Sequence, residues 1–198
     1  TEWLLGTSFN WIGLSLNLGA ANYLGLSFTQ LDYGREEITT LQNQDGTGRY
    51  WDASDIAASL TFARALTNRF SIGGSAKLIN SRIWNESASA IAIDLGVLFI
   101  TNFNGMRLGM SISNYGTKMR MDGKDLLQQI DLNPDATGHN ETLVARLKTE
   151  DYELPIFFRL GLAYNLLNQE MNRLTLALDA LHPTDNVESM NVGAEYGF

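Results

Sequence analysis

SASAIAIDLGVLFI (Ser87 to Ile100), TNFNG (Thr101 to Gly105) and MRLGMSISNY (Met106 to Tyr115) are consecutive, and their alternation decides the fold. In the first run Ile91, Ile93, Leu95, Val97 and Phe99 fall on one face, with Ala90, Ala92, Asp94 and Gly96 on the other. In the second, Leu108, Met110 and Ile112 alternate with Arg107, Gly109, Ser111 and Ser113. A period of two marks β-strands, and Asn102 to Gly105 has the composition of a turn between them. One face is bulky and aliphatic; the other is small, with an occasional charge. A soluble sheet covers its wet face with Lys, Glu and Thr. A barrel in a membrane turns large apolar side chains outward to lipid and small or polar ones inward.

The same pattern recurs along the chain. Ile12, Leu14, Leu16 and Leu18 oppose Trp11, Gly13, Ser15 and Asn17; Leu24, Leu26 and Phe28 oppose Gly25, Ser27 and Thr29. Ile56, Leu60 and Phe62 then read outward, as do Ile72, Ala76 and Leu78. So do Ile156, Phe158, Leu160 and Leu162, then Leu174, Leu176 and Leu178, and finally Met190, Val192, Ala194, Tyr196 and Phe198. The reading is all-β: an antiparallel up-and-down transmembrane β-barrel domain over residues 1–198, with about nine strands. Connections at Gly19, Thr67, Asn102 and Asn165 are short, and those starting at Gly34, Ser81, Gly116 and His182 are mostly longer. Short periplasmic turns and long extracellular loops alternate in this way. The longest connection, Gly116 to Glu153, includes a predicted helical turn at Lys124 to Ile130. Tyr23, Phe70, Phe103, Tyr164 and Tyr196 gather at the short-turn end; Tyr33, Trp51, Trp84 and Tyr115 gather at the other, as two interfacial girdles would. An odd strand count and a start without Met lead to the expectation of a partial barrel.

Composition narrows the function. A net charge of -8 argues against nucleic acid as a partner. With no Cys there is neither a disulfide framework nor a thiolate metal site. No run approaches the roughly 20 apolar residues of a membrane helix. Periodicity alone also fits a soluble sandwich with its bulky faces inward. The charge-poor second face and the paired aromatic clusters favour the membrane.

Sites of chemistry are few. The two His are His139, in the long polar loop, and His182, before Pro183. A Ser-His-Asp arrangement can be drawn through His182 and Asp179, but no nucleophile motif supports it. Asp131, Asn133 and Asp135 have calcium-like spacing without completing an EF-hand loop. Asp45-Gly46-Thr47-Gly48 reads as a turn, since no Lys follows it. No catalytic residue, cofactor or metal is expected. The candidate lumen-facing charges are Lys77, Asp94, Arg107, Arg159 and Asp179. Matching register arithmetic would set Arg159 opposite Asp179 and Lys77 opposite Asp94.

Several stretches resemble the PorV/PorQ family of outer-membrane proteins, relatives of the FadL-type transporters. They are TEWL (Thr1 to Leu4), LDYG (Leu31 to Gly34), SDIAASLTFARALTNRFSIGGSAKLI (Ser54 to Ile79), IWNESASAIAIDLGVL (Ile83 to Leu98), GMRLGMSISNYGTKMRMDGKDL (Gly105 to Leu126), LPIFFRLGLAYNLL (Leu154 to Leu167) and LDALHPTDNVESMNVGAEYGF (Leu178 to Phe198). The resemblance implies a barrel of about fourteen strands in the cell outer membrane, of which this chain holds the middle. It further implies a part in type IX secretion, with exported cargo proteins bound at the loops Gly34 to Tyr50 and Gly116 to Glu153. The alternative is a FadL-like channel for a hydrophobic solute, with an apolar pocket lined by Leu98, Phe157 and Leu181. Outer-membrane lipid is a partner in either case.

Overall fold

A computed structural model describes residues 6–131, 143–168 and 172–198. The strands are β1 (Ser8–Gly19), β2 (Asn22–Glu37), β3 (Tyr50–Ala65), β4 (Phe70–Ile83), β5 (Glu86–Ile100), β6 (Arg107–Gly116), β7 (Asp122–Gly123), β8 (Leu127–Ile130), β9 (Leu143–Arg146), β10 (Phe157–Asn168), β11 (Arg173–Pro183) and β12 (Ser189–Gly197). The main sheet runs β1-β2-β3-β4-β5-β6-β10-β11-β12, every neighbour antiparallel. Nine long strands thus follow one another up and down, and the short β7 joins the edge of β5. The architecture is all-β and barrel-like.

Register gives the sheet its shear. A row of facing residues on the bulky side links Leu16, Leu24, Phe62, Gly74, Leu95, Ile112, Phe158 and His182. It starts beside the short β1–β2 turn and ends near the opposite end of β11. A drift of about one residue per strand corresponds to a strand tilt of roughly 40°, the inclination of closed barrels.

Side-chain size divides the two faces. On β5 the bulky face is exposed, with Ile91 at 58%, Ile93 at 49% and Leu95 at 60%; Ala88, Ala90 and Ala92 on the small face are at 5% or less. Among the described residues the buried hydrophobics are Ala88, Ala90, Ala92 and Met119. A soluble sandwich needs the reverse, with Leu and Ile forming the core. From Phe99 to Ile91 the apolar band on β5 is about 27 Å along the strand, or about 20 Å in height after tilting. Beyond it the bulky face turns polar at Gln30, Asn80 and Ser89, then at Asp32, Ser54, Arg82 and Ser87. Arg64, also on this face, sits next to the short β3–β4 turn at the other margin of the band.

Four expectations need correction. The connection after Ser81 is short, because β4 and β5 run on to a two-residue turn at Trp84-Asn85. The predicted helical turn is a 3-10 turn over Lys124–Leu126, and β8 follows it directly. The girdles hold only in part. Phe70, Tyr164, Tyr196 and Tyr115 share the bulky face, but Tyr23, Tyr33 and Trp51 have the parity of the small face. Finally, the connection from β6 to β10 is not wholly an outward loop. Thr117 N–H donates to Ile91 O at 2.9 Å, and Met119 forms a bridge to Tyr152. Met119, 2% exposed, then packs on Ala88 and Ala90 with Ile79, Met121 and Leu154. The small alanine side chains leave room for such a cover.

Candidate functional site

The polar side chains of the small face form a track across the sheet. Ser27 and Ser59 hydroxyls meet at 2.6 Å, and those of Thr61 and Ser75 at 2.8 Å. The track then becomes charged: Lys77 Nζ lies 2.7 Å from Asp94 Oδ1, with side chains 16% and 25% exposed. Position creates this pair. Lys77 faces Ala92 and Asp94 faces Ser75, so the ion pair runs diagonally across the β4–β5 ladder. The tight turn expected at Asn85-Glu86 lies one residue earlier, at Trp84-Asn85, which moves the register by two.

A bulge supplies a third member. Ile93 faces Tyr115 while Leu95 faces Ile112, so Ser113 and Asn114 both lie against Asp94. Asn114 takes φ 65, a left-handed conformation that Asn tolerates better than most residues. Its N–H donates to Asp94 Oδ1 at 2.8 Å, and its Oδ1 accepts from Lys77 Nζ. Its Nδ2 donates to Pro155 O at 3.0 Å, tying the cluster to the returning end of the β6–β10 connection. The group is neutral, closed on itself and without a nucleophile. Chemically it can hold a wall and a cover together. Asn114 is the member that alternation missed; the break in period after Ile112 is the signal that could have exposed it.

The other lumen-facing candidates share the small face but not this cluster. Arg107 stands between Ile100 and Ala163. Arg159 faces Ser111 and Leu181, while Asp179 faces Gly161. The expected Arg159–Asp179 opposition is two residues out, because the ladder sets Tyr164 opposite Leu176 and not Leu174. No ion pair joins them, and Asp179 Oδ1 instead leans over Gly161, 2.6 Å from where a Cβ would stand. Both border a recess of about 500 Å³ with a floor of Gly73, Gly96, Gly109, Ser75 and Ser111. Of the apolar lining expected for a hydrophobic solute, only Leu98 reaches it.

His182 does not serve a triad. It lies on the bulky face, where its Nδ1 meets Glu188 Oε1 at 2.9 Å, whereas Asp179 points to the other face. His139, Asn133 and Asp135 lie outside the described residues, and so does the question of calcium there. Among the described residues no three acidic or histidine side chains cluster as metal ligands would. On the loop side, burial and then the Asp55 carboxylate push the Tyr152 phenol upward.

A second concavity, about 1150 Å³, opens on the bulky face, where Gly74 leaves a gap among Phe62, Ile72, Leu95, Met110 and Ile112. Its lining is mostly the apolar band, with Arg64, Arg159 and the His182–Glu188 pair also bordering it.

These features define a class: an all-β, up-and-down, barrel-like protein whose large apolar side chains face outward. No family model matches the chain, and no curated protein matches it.

Proposed function

We propose that the chain is part of an outer-membrane β-barrel that serves protein export, in the manner implied by its resemblance to PorV and PorQ. The observation that carries the membrane reading is the inversion of burial. Leu95, Leu160 and Met110 are 60%, 53% and 57% exposed, while Ala88, Ala90 and Ala92 on the other face are buried. Water would penalise such a surface heavily, and hydrocarbon would not. The satisfied Lys77–Asp94–Asn114 cluster on the opposite face fits an interior. The export reading rests on the family resemblance and on the projecting elements: the loop 38–49 and the hairpin of β8 with β9. Loops on a rigid scaffold commonly carry recognition. A FadL-like channel for hydrophobic solutes has less support, because Phe157 and Leu181 do not line the recess on the small face, and Arg159 and Asp179 border it.

Cysteines at Asp45 and Asn102 test the topology with a membrane-impermeant maleimide on whole cells. Labelling at Asp45 alone is expected; labelling at Asn102 alone reverses the orientation. Removal of the gene tests export: surface proteins should accumulate inside the cell and return to the surface with the wild-type copy. Unchanged surface display would reject that role.

A further inference from the structure

At the polar margin of the bulky face, β2, β3 and the β4–β5 turn bring together three arginines and two aromatic rings. Arg82 and Asp52 form an ion pair through both guanidinium nitrogens and both carboxylate oxygens. Arg35 lies over Tyr50, its Cζ 4.5 Å from the ring centroid, and Arg49 lies over Trp84 at 5.7 Å. Two of the neighbouring acids hold backbone N–H groups. Glu37 accepts from Gly48 N–H at 2.6 Å, and Asp32 from Gly34 N–H at 2.9 Å. Arg35 and Arg49 themselves make no side-chain hydrogen bond or ion pair among the described residues, and both are exposed. A guanidinium held over an aromatic face by cation–π attraction keeps N–H groups free for a bidentate acceptor. Trp84 is held under Arg49 at φ 52: its N–H donates to Asp52 O at 2.7 Å, and its carbonyl accepts from Arg82 at 3.3 Å. A bulky residue in that conformation needs such support.

We propose that Arg35 and Arg49, held over Tyr50 and Trp84, bind the phosphate of an anionic lipid head group. The location selects the source of the phosphate. Arg35 faces Asp52 on the bulky face, beyond the rows where the apolar band ends. A lipid with its acyl chains on that band carries its head group to this height. The inference rests on the membrane reading above and adds a ligand to it.

Trp84 reports on the site. In a variant with Trp3→Phe, Trp11→Phe and Trp51→Phe, reconstituted in bilayers, its fluorescence is titrated with brominated phosphatidylglycerol or brominated phosphatidylcholine. The expected result is roughly tenfold stronger apparent association of the phosphatidylglycerol, given the usual attraction of an arginine to an anionic surface. Arg35→Gln with Arg49→Gln should abolish the preference. Arg35→Lys with Arg49→Lys, which keeps the charge and loses the planar fork, should retain only part of it. The lysine pair also keeps the test decisive if the glutamine pair fails to fold. Equal quenching by the two lipids overturns the site, and so does a preference that survives the glutamine pair. Competition by excess inorganic phosphate at constant ionic strength would assign the site to free phosphate and overturn the lipid source. Absence of quenching by either lipid would instead overturn the membrane reading beneath it.

Discussion

Lys77 and Asp94 stand two positions out of register, yet their charged atoms meet at 2.7 Å on the small face. The diagonal works because Asn114, displaced by the bulge, occupies the space beside Asp94 and binds both partners. Side chains this poorly exposed lose water that the charged partner and Asn114 together replace. Lys77→Met alone should therefore destabilise the barrel by about 3 kcal/mol. In the double-mutant cycle with Asp94→Leu, the coupling should exceed about 1 kcal/mol. Urea unfolding in detergent measures both. A coupling near zero would reduce the cluster to incidental contact.

Arg159 and Asp179 give the opposite expectation. They share a face, but Arg159 stands opposite Leu181 and Asp179 leans over Gly161. The cycle of Arg159→Met with Asp179→Leu should show a coupling of at most about 0.5 kcal/mol. A coupling well above 1 kcal/mol would mean that the two meet in solution.

Those two pairs separate what the sequence makes legible from what it does not. Alternation assigned all five lumen-facing candidates to one side, because parity within a strand needs no knowledge of its neighbours. Register does need it. One residue of error in the position of the β4–β5 turn moved Lys77 from Asp94 to Ala92, and the same size of error at the β10–β11 turn moved Arg159 from Asp179 to Leu181. Tyr23, Tyr33 and Trp51 were legible as aromatics near strand ends, yet chemistry alone does not say which face an end residue takes. The cover over the small face was hidden for a further reason. Met119 lies in an irregular segment with no period, and its partners Ala88 and Ala90 look like ordinary small-face residues until something packs on them.

The cover supplies a glycine test. A Cβ at Gly116 would collide with the backbone of Ile91 and Ala92, where neither side can give way. A Cβ at Gly109 would meet nothing within 4 Å. Gly116→Ala should cost about 1–3 kcal/mol and loosen the β6–β10 connection, while Gly109→Ala should be nearly neutral. Limited proteolysis within 117–156, together with urea unfolding, separates the two. Equal behaviour would show that Thr117 and Met119 do not hold the connection against β5.

The faces themselves are tested by charge. Leu95 and Leu160 lie on adjoining rows of the bulky face, well within the apolar band. An arginine there has no interface within easy reach, unlike Arg64 beside its short turn. Leu95→Arg and Leu160→Arg should each cost about 2–4 kcal/mol when the protein is refolded into lipid bilayers. Gly96→Ser is the matched control. A Cβ at Gly96 finds its nearest neighbour at 3.6 Å, ordinary contact, and the hydroxyl joins a face already lined with serines. Its cost should stay below about 1 kcal/mol. The contrast should also depend on the solvent. In bilayers the arginine variants lose stability because hydrocarbon refuses the charge, whereas a sheet in water would accept an arginine on an exposed face with little loss. Arginine and serine variants of equal stability in bilayers would therefore place the bulky face away from lipid and remove the basis for a membrane barrel.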